Sequence, residues 1–135
     1  VFVGVQVHNS EETARLVRQL RRHGLAALDL SNNDLAKLHV RHLVGGHTPG
    51  LENELLYRFE FPERPGALVK FLDSMRHRWN ISLFHYRNHG ADYGRVLVGM
   101  QVPRNELKAF KAFLDRLGYP HTDESRNPAY RLFLA

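Results

Sequence analysis

The sequence predicts an α+β protein of ferredoxin-like βαββαβ order, with one complete module preceded by part of another. Three observations lead there. Leu55, Tyr57, Phe59 and Phe61 alternate with Glu54, Leu56, Arg58 and Glu60, the period of a strand with one buried face. Past Pro62, Pro65 and Gly66, the apolar residues fall at Leu68, Phe71, Leu72 and Met75, the stripe of a helix on a core. From there the pattern continues strand, strand, helix, strand, which completes a split βαβ with two helices on one face of an antiparallel sheet.

Taken from the start, Val1 to Val7 has strand composition. Asn9 or Ser10 caps a helix whose first turn carries Glu11 and Glu12, where the helix dipole favours negative charge. That helix runs to His23, and Gly24 stops it. Leu25 to Leu30 reads as a short strand. Ser31 to Asp34 caps a second helix over Leu35 to Val44, with Leu38, His39 and His42 on one side and Gly45-Gly46 at its end. His47 to Gly50 is the clearest linker. After the helix that ends near Met75 come a strand over Ile81 to Tyr86, a turn over Arg87 to Gly94, and a strand over Arg95 to Val102. Asn105 caps a helix with Leu107, Phe110, Phe113, Leu114 and Leu117 inward, and Gly118 stops it. Tyr119 to Thr122 is a short fourth strand. Asn127-Pro128 turns the chain into an apolar segment, Tyr130 to Leu134, that should dock.

The 135 residues suit one domain or two small ones and are enough to close a core. No apolar run approaches a membrane span, no secretory leader is visible, and there is no cysteine for disulfide or thiolate chemistry. A cytoplasmic location is the expectation. The net charge is +5, but the basic residues are scattered, and only Arg15, Arg18, Arg21 and Arg22 cluster on one helix. Such a face is more often solvated than bound to phosphate, so no nucleic-acid partner is expected. A sheet that reads RNA would need exposed aromatics on its central strands, and Val96 to Val102 has none.

The sequence also repeats itself at a spacing of about ninety-four residues. Val1 to Val7 matches Val96 to Val102, Leu20 to Gly24 matches Leu114 to Gly118, and Asp29 and Ser31 match Asp123 and Ser125. Residues 1–30 then read as the second half of a first module, 31–50 as a connecting helix and linker, and 51–135 as a complete second module. The chain opens within a strand pattern and without Met, as a piece of something longer would.

The turn at the organising strand, Phe61-Pro-Glu-Arg-Pro-Gly-Ala-Leu68, resembles those of the ACT-like modules that bind amino acids. Asp34 to Gly46, Trp79 to Gly90, Asp92 to Arg95 and Asn127 to Leu134 extend the likeness across the chain. Together they resemble the C-terminal regulatory region of biosynthetic threonine dehydratases. The resemblance implies a non-catalytic fragment that binds isoleucine as feedback inhibitor and valine as activator. It implies a homo-oligomer, a dimer of this fragment and a tetramer of the full enzyme. It further implies that pyridoxal phosphate serves the full-length enzyme and that this fragment carries no cofactor. None of the four lysines stands beside a Gly-rich phosphate cradle.

A branched amino acid needs an apolar slot and polar partners for its two charges. By analogy with the family the slot is Leu68, Leu72 and Met75 with Tyr86. Its carboxylate could meet the helix start at Gly66 and Ala67, or Arg87, and its ammonium Asn88 or nearby carbonyls. His39 with His42, and His85 with His89, have no third ligand at a defined spacing, so no metal is expected. Glu60 and Glu63 lack the pairing that acid–base catalysis needs, so no catalytic residue is expected.

Overall fold

The computed structural model describes residues 2–43, 49–88 and 90–135. Val1, Val44, the Gly45-Gly46 stop, the His47-Thr48 part of the linker and the reading of His89 lie outside those residues.

The second module has the expected order. Strand β1 (Glu54–Pro62) leads to helix α3 (Ala67–Met75), strands β2 (Asn80–Arg87) and β3 (Tyr93–Gln101), helix α4 (Leu107–Leu117) and strand β4 (His121–Asp123). These strands form one antiparallel sheet in the order β2-β3-β1-β4. That is the ferredoxin-like, ACT-like arrangement, with the two central strands contributed by opposite halves.

Alternation decides what lies under α3 and α4. Phe59 and Phe61 of β1, and Val96, Val98 and Met100 of β3, face the helices and meet Phe71, Met75, Phe110, Phe113 and Leu117. The aromatic rings pack edge to face or tilted; Phe59 on Phe71 at 5.4 Å and Trp79 on Phe110 at 5.2 Å are edge to face.

The opposite face was expected to be polar, yet it is covered. Leu56 and Leu97 are buried there beneath Leu35, Ala36, Val40, Ala129 and Tyr130. The cover consists of α2 (Asp34–Leu38), a 3₁₀ turn (Val40–His42) and α5 (Pro128–Phe133). The second helix is therefore shorter than the expected Leu35–Val44 and tightens into 3₁₀ geometry. The final apolar segment docks, as a helix: Asn127 accepts from the Ala129 N–H, and Pro128 suits the first turn. Arg58 and Glu124 pair at 3.0 Å on this covered side.

The opening region departs from expectation. Helix α1 (Ser10–Arg22) forms with its Asn9 cap, but residues 2–8 and 25–30 form no strand. A strand is held by a neighbour's ladder, and among the described residues none pairs with either segment. Phe2, Val3, Val5, Leu25 and Leu28 are consequently exposed. Helix α4 also starts differently. Asn105 lies in a 3₁₀ turn (Arg104–Glu106), and no side chain caps the helix.

Features of the repeat recur in three dimensions. Gly24 and Gly118 both close helices at positive φ, 77° and 68°. Asp29 accepts from the Ser31 N–H as Asp123 does from that of Ser125, at 2.8 and 2.9 Å. Asn33 then caps α2 as Asn127 caps α5, which carries the likeness past Ser31 and Ser125.

Candidate functional site

The break between β1 and α3 builds a cleft. Pro62 ends the ladder, and Gly66 at φ 85° lets the chain turn straight into the helix, where a Cβ would be strained. Two bonds fix the turn. The Glu63 N–H donates to the Asp92 carbonyl at 2.9 Å, tying it to the β2–β3 turn. The buried Tyr119 hydroxyl donates to the Ala67 carbonyl at 3.0 Å, tying the helix start to the segment after α4.

The cleft measures about 540 Å³ and lies between this turn and the end of β2, lined by residues 61–68 with Phe84 and Tyr86. A second depression, along α3 and Arg116, is more open and has no aromatic wall. The cleft has an apolar side of Phe61, Leu68 and Phe84. Its polar groups are the Glu63 carboxylate, the Arg64 guanidinium and the Tyr86 phenol. The Tyr86 hydroxyl donates to Glu63. The first-turn N–H groups of α3 have no partner within their own helix and carry positive partial charge.

Of the expected site residues, Gly66, Ala67, Leu68 and Tyr86 line the cleft. The other four lie elsewhere. Met75 is 4% exposed and sits in the core, and Leu72 is 39% exposed on the outer side of α3. The helix meets the sheet along Ala67, Phe71 and Met75, an i, i+4 row. Leu72, one residue past Phe71, is turned about 100° away from that row. Arg87 faces the other side of the sheet, where its Nη1 donates to the Leu38 carbonyl at 3.3 Å. Strand alternation explains the separation, since neighbours Tyr86 and Arg87 point to opposite faces. Asn88 is spent within its own turn, accepting from the Gly90 N–H at 2.6 Å.

Six further residues line the cleft that were not among the expected site residues: Phe61, Pro62, Glu63, Arg64, Pro65 and Phe84. Glu63 and Arg64 stand inside the Pro-Gly turn itself, and Phe84 shares a face with Tyr86 by period 2, so both signals were present in the sequence. Gly94 lies directly against two of the lining residues. A Cβ there would come within 2.5 Å of the Tyr86 ring and 2.6 Å of the Glu63 carboxylate. Its bare backbone is the floor on which those two groups meet.

Behind the cleft, His39 and His85 share a contact at 2.9 Å between their Nδ1 atoms. Burial first, then nearby His85 and arginines, push the His39 imidazole down to about 3, so it is neutral. Burial lowers His85 as well. Among the described residues no group of three His, Cys, Asp or Glu side chains could hold a metal. Nor do the lysines fit pyridoxal phosphate. Lys37, Lys70, Lys108 and Lys111 are exposed, Lys37 beside Asp34 and Lys70 over the Tyr119 ring.

The strand order β2-β3-β1-β4 with two helices on one face defines a ferredoxin-like βαββαβ module, here with a cleft beside its first helix. Residues 45–134 match the family described as the C-terminal regulatory domain of threonine dehydratase, and the chain belongs to that family. It is 55% identical over 135 residues to the biosynthetic L-threonine dehydratase IlvA of Burkholderia multivorans, covering 100% of this chain and 27% of that protein. It is 48% identical over 136 residues to the Escherichia coli enzyme, covering 100% and 26%. With the mitochondrial threonine dehydratase of Saccharomyces cerevisiae it is 49% identical over 128 residues, covering 95% and 22%. The chain thus spans about a quarter of the relatives' length and corresponds to a regulatory region without the catalytic domain. The regulatory subunit of aspartate kinase from Thermus thermophilus, in ligand-free form, is a distant structural likeness: TM-score 0.41 at 15% identity, covering 53% of this chain and 50% of that one.

Proposed function

We propose that this chain is the effector-sensing region of a biosynthetic threonine dehydratase, and that the cleft between the Pro-Gly turn and β2 receives a branched-chain amino acid. Isoleucine acts there as inhibitor and valine as activator. The observation that carries the reading is that one cleft is lined by both the charged Glu63 and Arg64 and the apolar Phe61, Leu68 and Phe84. An amino acid is a zwitterion with an apolar tail. Glu63 suits its ammonium, Arg64 and the first turn of α3 suit its carboxylate, and the apolar wall suits the branched side chain. Tyr86 holds Glu63 in place.

In the full enzyme this region regulates a pyridoxal-phosphate-dependent catalytic domain that deaminates threonine to 2-oxobutanoate, within a homotetramer in the cytoplasm. The isolated region pairs as a dimer. Residues 1–30 belong to a first ACT-like module, residues 31–50 connect, and residues 51–135 form the second. The recurrent turns and caps at Asp29, Asn33, Asp123 and Asn127 support that division. Among the described residues no helix is long and apolar enough to cross a membrane.

The effector shifts a population: it binds one arrangement of the modules more tightly and so biases the catalytic domain. The test is the rate of 2-oxobutanoate formation by the full-length enzyme at rising isoleucine, with and without valine. Isoleucine should depress the rate and valine should restore it. A rate indifferent to both would count against the reading.

A further inference from the structure

The face opposite the cleft holds a second set of contacts made by the same strand. Phe84 and Tyr86 of β2 line the cleft, while the residues between and after them, His85 and Arg87, reach α2 on the far side. We infer that β2 carries the occupancy of the cleft to the connecting helix through the His85–His39 contact. This rests on the effector reading above.

Three features suit β2 to that role. It is an edge strand, bonded to β3 alone, and no residue in it is fully buried. Its register shifts between Ile81 and Leu83, a bulge that loosens the ladder. Leu83 of β2 joins the apolar packing that holds α2 to Leu56 and Leu97, but past it the strand's hold is polar and directional, through His85 on His39 and Arg87 on the Leu38 carbonyl. A ligand that presses on Phe84 or Tyr86 displaces a strand whose alternate residues hold the helix, so the displacement arrives on the other face without crossing the core.

The His39–His85 contact is the place where that arrival is felt. His39 is fully buried and its other ring nitrogen, Nε2, has no hydrogen-bond partner among the described residues. The 2.9 Å contact is therefore the bond that fixes its ring, and one Nδ1 must donate while the other accepts. A bond that needs one tautomer and one distance is made in one placement of β2 and broken in another. The residue ninety-four positions on from His39 is Phe133, an aromatic ring with no nitrogen to make such a bond.

The test uses the full-length enzyme with His39→Phe, which keeps a planar ring of somewhat larger volume and removes the bond, and His85→Phe, made from the half-exposed side in case the first variant folds poorly. Calorimetry reads isoleucine binding, and turnover of threonine reads inhibition. The inference predicts a split in at least one folded variant: isoleucine affinity within about threefold of wild type or tighter, because binding no longer drives the helix, with the half-inhibitory concentration raised at least tenfold. Inhibition unchanged in both variants would overturn it, as would binding and inhibition lost in parallel. If wild-type enzyme binds no isoleucine, the effector reading itself falls, and this inference with it.

Discussion

Asn33 and Asn127 hydrogen-bond to each other reciprocally across ninety-four residues of chain. The Asn33 Nδ2 donates to the Asn127 Oδ1 at 2.8 Å, and the Asn127 Nδ2 returns to the Asn33 Oδ1 at 3.4 Å. Each carboxamide oxygen also caps its own helix, α2 or α5, through the N–H of Ala36 or Ala129. Residues at matching positions of the sequence repeat thus meet each other directly.

That relationship makes a coupling measurable. Replacing either Asn by Ala should lower unfolding free energy by about 1–2 kcal/mol, chiefly through the lost cap. The double variant should lose less than the sum, by about 0.5 kcal/mol or more, because the shared bond is broken only once. Urea unfolding of the four proteins reads both quantities, and strict additivity would argue against a shared bond.

A second prediction concerns the covered face. Arg58 Nε lies 3.0 Å from a Glu124 oxygen, and both side chains are mostly buried. Arg58→Met leaves a carboxylate unpaired there and should destabilise by about 3–5 kcal/mol. Adding Glu124→Gln should recover part of the loss in the same unfolding assay, although Glu124 also accepts from Asn127 at 2.6 Å.

The third prediction is a pH dependence. The His39 pKa is about 3 when folded, against an ordinary value of 6.5. Between those values the unfolded chain binds a proton that the folded chain refuses, so stability falls as pH drops through 6.5 toward 3. The loss from pH 7 to pH 4 is roughly 3 kcal/mol for this group. His39→Phe should flatten the acid limb of a melting-temperature profile relative to wild type. Parallel profiles would show that His39 already titrates normally.

These contacts also mark where sequence reasoning reached and where it stopped. The order β1-α3-β2-β3-α4-β4 was legible because periods of two and 3.6 alternate cleanly from Glu54 to Asp123. The second covered face was not. Leu56 stands among Glu54, Arg58 and Glu60, so alternation alone assigned it to solvent, and only α2 and α5 arriving from distant sequence bury it. Helix α5 is six residues long, too short for periodicity, though Asn127-Pro128 was a readable helix start. The strands expected at 2–8 and 25–30 fail for a different reason, because strand composition forms no ladder without a neighbour. The structure forms a cleft at the Pro-Gly turn that the sequence singled out, but the phase of α3 and the alternation of β2 place Leu72, Met75 and Arg87 away from that cleft.

Gly94 offers a direct perturbation of the cleft floor. In Gly94→Ala the new methyl displaces the ends of two side chains on an exposed rim, so stability should change by about 1 kcal/mol or less. The expected result is at least a tenfold loss of isoleucine affinity by calorimetry with the fold intact by circular dichroism. Unchanged affinity would remove Tyr86 and Glu63 from the site.

The claim that a branched amino acid sits between the Pro-Gly turn and β2 is tested most directly by amide chemical shifts. A ¹⁵N-labelled sample of this chain, titrated with isoleucine, should show saturating shifts concentrated at residues 63–68 and 84–88. Saturating shifts confined to other elements, or none at millimolar isoleucine, would contradict it.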